Sequence, residues 1–200
     1  LGLDRNGRIV TILPGSRLSE LKYNSRVFIE TAAQLAKRDP TIRFIVPMAG
    51  ETQRAYFEQL IAKPELQRLP LTIMTGNSHE AIAACDAALV ASGTATLEAA
   101  LFKRPMVIAY RMNPLSWQIM RRQKLQPWVG LPNILCQSFV VPELLQDKAT
   151  PDAMAQGVLD WLDQPQRVRE LTQRFTDLHD QLLRDTPTLS AHAIESLLAR

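Results

Sequence analysis

Short blocks of apolar, β-branched residues alternate along the chain with longer stretches whose apolar positions recur every three or four residues. Residues 8–13 (RIVTIL) form the first block, read as a strand ended by Pro14-Gly15. From residue 19 to 38 the apolar positions Leu21, Val27, Phe28, Ala32 and Leu35 follow helical spacing. Ser19 stands where an N-cap is expected, and Pro40 stops the helix. Residues 42–46 (IRFIV) predict a second strand, 51–62 a second helix, and 71–74 a third strand followed by Gly76 and a helix from Ser78. Two further strands, 87–90 and 106–109, flank a helical stretch at 95–101. Strands and helices alternating at this spacing imply βαβ units and an α/β fold with a parallel sheet.

After Val141 the pattern changes. Residues 151–162, 167–183 and 189–198 read as three helices without a strand between them. The expected organisation is a linker at 1–7, a domain at 8–142, and a helical C-terminal tail at 143–200 that packs on the domain or on a partner half. The chain opens on Leu1 rather than Met and continues through the polar run Asp4-Arg5-Asn6-Gly7, which reads as a linker within a longer protein.

Composition narrows the function classes. Among 200 residues, 46% are apolar and 22% charged, which excludes a disordered chain. Two cysteines, Cys85 and Cys136, cannot form a disulfide framework. The three histidines, His79, His179 and His192, lack ligand spacing, so neither a metal nor another cofactor is expected. The longest uncharged run, residues 125–142, is interrupted by Pro127, Gly130, Pro132 and Asn133, so no membrane span is expected.

Four of the eight glycines, Gly15, Gly50, Gly76 and Gly93, follow predicted strands. In a doubly wound sheet those loops share the rim at the carboxyl ends of the strands, where ligands bind. In Leu13-Pro14-Gly15-Ser16-Arg17 a strand runs through a glycine turn into a helix. Backbone amides, the positive helix end and Arg17 could chelate a phosphate there, or Arg17 could simply sit on a turn. A second such turn, Ser92-Gly93-Thr94, offers amides and hydroxyls for a pyrophosphate, and Glu98 lies one helical turn further, where a carboxylate can accept both hydroxyls of a ribose. The alternative is plain helix capping with a solvated Glu98. Two turns of this kind in one sheet favour a nucleoside diphosphate.

Charge adds a third signal. Residues 99–142 hold Lys103, Arg104, Arg111, Arg121, Arg122 and Lys124 without one Asp or Glu, interleaved with Trp117, Leu125, Trp128 and Val129. Basic and aromatic residues together suit an anionic amphiphile or membrane surface. Without a recognition motif, no nucleic acid partner is expected. The chain has no Asp-x-Asp, no Gly-x-Ser-x-Gly and no Cys–His nucleophile signature, so Arg17 and helix ends, rather than a metal, are expected to neutralise a diphosphate.

Four segments, LPGSR at 13–17, ASGTATLEAAL at 91–101, PMVIAYRMNPLSW at 105–117 and VGLPNIL at 129–135, resemble the lipid-A-disaccharide synthases, bacterial inverting glycosyltransferases of the GT-B type. The resemblance spans the chain and matches the carboxyl-terminal half of that family. It implies a Rossmann-like parallel sheet with helices on both faces, one GT-B half. It also implies binding of UDP-2,3-diacylglucosamine as donor, with 2,3-diacylglucosamine 1-phosphate (lipid X) as acceptor and the β-1′,6-linked disaccharide and UDP as products. Carried over by motif, Gly15, Ser16 and Arg17 face the diphosphate; Ser92, Gly93 and Thr94 complete its cradle; Glu98 holds the ribose. The loop from Ile73 through Met74 and Gly76 to Asn77 meets uracil, and Asn133 and Arg111 lie near the reacting sugar. The implied partners are an amino-terminal half that supplies the general base, the anionic inner-membrane surface of a Gram-negative cytoplasm, and a second copy in a homodimer. Another UDP-sugar enzyme of this fold, such as an epimerase or a peptidoglycan glycosyltransferase, and a non-catalytic nucleotide-binding module remain the alternatives.

Overall fold

The computed structural model describes residues 7–64, 66–122 and 126–198. Six parallel strands form one sheet in the order β3-β2-β1-β4-β5-β6. The strands are β1 (Ile9–Leu13), β2 (Arg43–Met48), β3 (Leu71–Thr75), β4 (Ala87–Val90), β5 (Met106–Tyr110) and β6 (Glu143–Leu145). This is the doubly wound order, with β1 and β4 side by side where the winding reverses. The helices among the described residues are α1 (Leu18–Arg38), α2 (Glu51–Ile61), α3 (Ser78–Ala84), α4 (Thr94–Leu101), α5 (Pro114–Arg122), α6 (Leu131–Leu135), α7 (Pro151–Asp163), α8 (Pro165–Leu182) and α9 (Thr186–Leu198).

The strands in the middle of the sheet are apolar on both faces, whereas β3 at one edge is only half-buried. Every residue of β4 is buried, as are Val10 to Leu13 of β1 and Met106 to Ala109 of β5. Such near-continuous burial is what a parallel sheet covered by helices on both sides demands. Phe28, Phe44, Phe57, Ile12 and Leu89 are fully buried in this core.

The sequence pattern misses the sixth strand. Residues 143–145 pair with β5 through Ile108↔Glu143 and Tyr110↔Leu145, directly after the expected boundary at residue 142. The helices that follow seal the sheet. α7 packs against α1, β4 and β5, and α8 reaches α4. Trp161 of α7 is buried and donates its indole N–H to the Met106 carbonyl at 3.0 Å. α9 buries none of its residues.

Two expectations change at helix ends. Arg17, not Ser19, is the N-cap of α1, because the helix begins at Leu18. The proline-containing stretch after residue 125 holds the five-residue helix α6, with Pro132 in its first turn, where a missing N–H costs nothing. Among the described residues no helix is long and apolar enough to cross a membrane.

Candidate functional site

The loops after β1, β2, β3 and β4 surround a cavity of about 510 Å³ at the carboxyl ends of the strands. It brings together Gly15, Ser16 and Arg17 from the first turn, Gly76 from the third loop, and Ser92, Gly93, Thr94 and Glu98 from the fourth. These are eight of the expected site residues, from three separate loops. Ile73 and Met74 are not among the lining residues; they lie within β3, short of the loop, and Ser78 lines the cavity instead.

The first turn is already occupied by a side chain. The Glu20 carboxylate accepts from the Ser16 amide at 2.9 Å and the Arg17 amide at 3.2 Å through the same oxygen. Its other oxygen lies 3.7 Å from the Arg17 guanidinium. Glu20 is 15% exposed, whereas Arg17 is 80% exposed and lines the cavity. Gly15 has to be glycine for two reasons: its φ is +128°, and a Cβ would stand 2.6 Å from the Glu20 Cβ. Gln53 of α2 ties down the same turn by donating to the Ser16 carbonyl at 3.0 Å.

The second turn is open. Gly93, at φ +148°, is the N-cap of α4, and no side chain caps it. The Thr96 hydroxyl turns away from the amides and donates to the Gly93 carbonyl at 2.7 Å. Uncapped amides at a helix start, with the positive end of the helix dipole behind them, attract an anion. Glu98 is 35% exposed, and one of its oxygens lies 3.5 Å from His79 Nε2. The His79 ring also sits against Phe102, with centroids 5.7 Å apart.

Asn133 and Arg111 stand outside this cavity. Asn133 is fully buried, and its amide is fully used. Its oxygen accepts from the Val140 and Val141 amides, while its nitrogen donates to the Val141 carbonyl and to Glu143. Glu143 in turn accepts from the Val129 and Gly130 amides, closing the start of α6 as Glu20 closes that of α1. Arg111 is held by its backbone, which donates to Asn24 at 2.7 Å, and by its guanidinium, which donates to the Ala149 carbonyl at 2.8 Å. Both residues tie backbone segments together outside the lining of this cavity.

The basic segment is not one surface. Lys103 and Arg104 precede β5 and lie at the amino ends of the strands, where Lys103 meets His179 and Arg104 meets the Ala83 carbonyl. Arg121 and Arg122 follow β5 on α5, beyond the carboxyl ends. The length of the strand, about 16 Å, separates the two pairs. Lys124 and Leu125 lie outside the described residues. On α5, Leu115 is 71% and Ile119 59% exposed, and no residue of the helix is buried.

Sequence reasoning missed three residues here. Glu20 carries a readable signal, an acid in the first helical turn directly after a glycine turn. His79 has none, because its partner is on a different helix. Tyr110, at the end of β5, is the third: burial pushes its phenol pKa up first, the Glu20 carboxylate adds to that, and Arg17 opposes it. Neither cysteine has the character of a nucleophile. Burial pushes the Cys85 thiol up to about 11 and raises that of Cys136.

A family model for lipid-A-disaccharide synthetase matches residues 1–195. The chain is 57% identical to the lipid-A-disaccharide synthase of Albidiferax ferrireducens, covering 99% of itself and 51% of that protein. It is 47% identical to the enzyme of that name from Pseudomonas syringae pv. syringae, covering 100% of itself and 51% of its relative. The chain therefore spans about half the length of the curated relatives it matches.

Among solved structures, the chain is similar to a glycosyltransferase from Rickettsia africae, with TM-score 0.62 at 11% identity over 89% of this chain and 44% of that one. It is also similar to the UDP-GlcNAc 2-epimerase from Neisseria meningitidis bound to UDP-GlcNAc, with TM-score 0.59 at 13% identity over 99% and 46%. The ADP-heptose LPS heptosyltransferase II of E. coli gives TM-score 0.58 at 17% identity over 82% and 49%. At these identities the likeness is one of fold, that of one GT-B half with a helical tail.

Proposed function

Because the chain belongs to the lipid-A-disaccharide synthase family, we propose that it is the half of such an enzyme that binds the donor, UDP-2,3-diacylglucosamine, for transfer to lipid X. The observation that carries this reading is the rim cavity, which joins an open helix start, an exposed arginine and a carboxylate within one space. The diphosphate rests on the Ser92, Gly93 and Thr94 turn and pairs with Arg17. Glu98 accepts from the ribose hydroxyls, and the loop at Gly76 and Asn77 meets the uracil.

In the transfer, an acceptor hydroxyl forms the new bond to the anomeric carbon on the face opposite the departing UDP, which inverts that centre. The hydroxyl proton goes to a base outside this chain. The bond from the anomeric carbon to the diphosphate breaks, and charge gathers on the leaving oxygen. Arg17 and the α4 amides stabilise that charge, and no metal is needed. Asn133 and Arg111 act as positioning residues that hold the loops behind the rim. Leu115, Ile119, Arg121 and Arg122 of α5 present an apolar and basic face, suited to the anionic membrane surface from which acylated substrates come.

Isothermal calorimetry of the chain with UDP, ADP and GDP in excess EDTA tests the reading. UDP is expected to bind best, at one equivalent. Affinity that disappears with EDTA, or that is equal for the three nucleotides, counts against it.

A further inference from the structure

Two of the amides that a phosphate would seek at the rim are held by a carboxylate of the protein itself. Glu20 fills the turn after β1, accepting from Ser16 and Arg17, and it lines the same cavity as the open α4 turn. Its contacts are short and it is largely covered, so its charge is fixed in place. Tyr110, whose phenol pKa is raised first by burial, is raised further by the same carboxylate.

The donor and the released nucleotide differ in charge at one atom. In a UDP-sugar the terminal phosphate is esterified and carries one negative charge. Once the sugar leaves, that phosphate gains a second ionisation, with a pKa of about 6. Arg17 balances the first charge. A second charge beside the fixed Glu20 carboxylate is repelled, because the Ser16 and Arg17 amides that could have screened it on that side are already taken.

We infer that Glu20 is a specificity-determining residue that sets the preference of the site for the esterified diphosphate over the free one, and so drives off UDP after transfer. This rests on the donor-site reading above. The charged or titrating groups around Glu20 are Arg17 on its own helix, Tyr110 on β5, Glu98 on α4 and, against Glu98, His79 on α3. Arg17 and the other groups also act on the second charge of UDP, so the change in the ratio on Glu20→Gln is what isolates the Glu20 carboxylate.

The test measures calorimetric affinities of UDP and UDP-N-acetylglucosamine at about pH 5.5 and about pH 7.5, for the native chain and for Glu20→Gln. In the native chain the ratio is expected to shift towards the sugar nucleotide by about five- to tenfold between those values, as the free phosphate takes its second charge. Glu20→Gln retains an acceptor for the two amides, and is expected to flatten that shift by tightening UDP about five- to tenfold while changing UDP-N-acetylglucosamine less than about twofold. A native ratio that does not move with pH overturns the inference without need of the variant, as does a folded variant with an unchanged ratio. Failure of both nucleotides to bind the native chain overturns the donor-site reading instead.

Discussion

Both β1 and β4 run into a glycine with positive φ and then into a helix, yet the two amides just before α1 hold a carboxylate, while no side chain caps the start of α4. The difference lies in the third residue of each helix. In α1 it is Glu20, long enough to fold back on Ser16 and Arg17; in α4 it is Thr96, whose hydroxyl donates to the Gly93 carbonyl. The start of α6 repeats the filled case, with Glu143 arriving from β6. A strand, a glycine and a helix thus make an anion-binding shape, but that shape serves a ligand only where the protein leaves it empty.

Breaking a filled turn should cost the most. Asn133→Ala removes the amide that ties Glu143 to the Val140 and Val141 backbone, leaving several buried groups without partners. Stability is expected to fall by about 3 kcal/mol in urea unfolding, with UDP affinity of the folded fraction retained. A loss of UDP affinity at full folding would put Asn133 in the site rather than behind it.

At the exposed arginine of the filled turn, which faces the same cavity as the α4 turn, the comparison is sharpened through binding. Arg17→Ala should weaken UDP by roughly 1.5–3 kcal/mol, the range for a charged hydrogen bond, with the melting temperature nearly unchanged because Arg17 is mostly exposed. An unaltered affinity would leave the α4 turn to hold the diphosphate alone.

The two ends of β5 extend the comparison to the basic segment. Arg121→Glu with Arg122→Glu should weaken cosedimentation with phosphatidylglycerol vesicles by about 2 kcal/mol, near 1 kcal/mol per residue. Lys103→Glu with Arg104→Glu, at the opposite end, should leave vesicle binding in place. Equal losses from the two pairs would mean that the segment acts as one patch after all.

The smallest effect is on acid stability. The Thr41 hydroxyl, which donates to Asp39 at 2.6 Å, is the main cause of a carboxyl pKa below the ordinary value; burial opposes it, and the Thr41 amide and Arg8 lower it further. A carboxyl lowered by folding stabilises the native state above its unfolded pKa, about 3.9, and loses that contribution as pH falls through the folded value. Thr41→Val should therefore shrink the difference in melting temperature between neutral pH and about pH 3, with no change in UDP binding.

The strands were legible because a covered parallel sheet writes itself as short apolar runs, as in residues 87–90 and 106–109. β6 was not, since Glu-Leu-Leu is too short for a period and begins with a charge that is spent on capping α6. The helical tail was readable from its repeat, while its role in sealing the sheet depends on Trp161 meeting Met106, 55 positions away. At the site, three of the four glycine turns, those of Gly15, Gly76 and Gly93, line the rim cavity, and Gly50 does not. What the residue order could not tell was which turn is filled, because that depends on where the Glu20, Glu143 and Thr96 side chains point.

Arg8, at the start of β1, lies 2.7 Å from Asp163 at the end of α7, a contact spanning 155 positions. Contacts of this range close late, since the intervening chain must be ordered first. During synthesis, β5 leaves the ribosome before the helix that covers it, and at 5–20 residues per second the gap lasts roughly 3–10 s. For that interval Met106 to Ala109 present an apolar strand to solvent or to a chaperone. Variants that weaken α7, such as Trp161→Ala, should therefore lower soluble yield more than they lower the stability of the molecules that do fold.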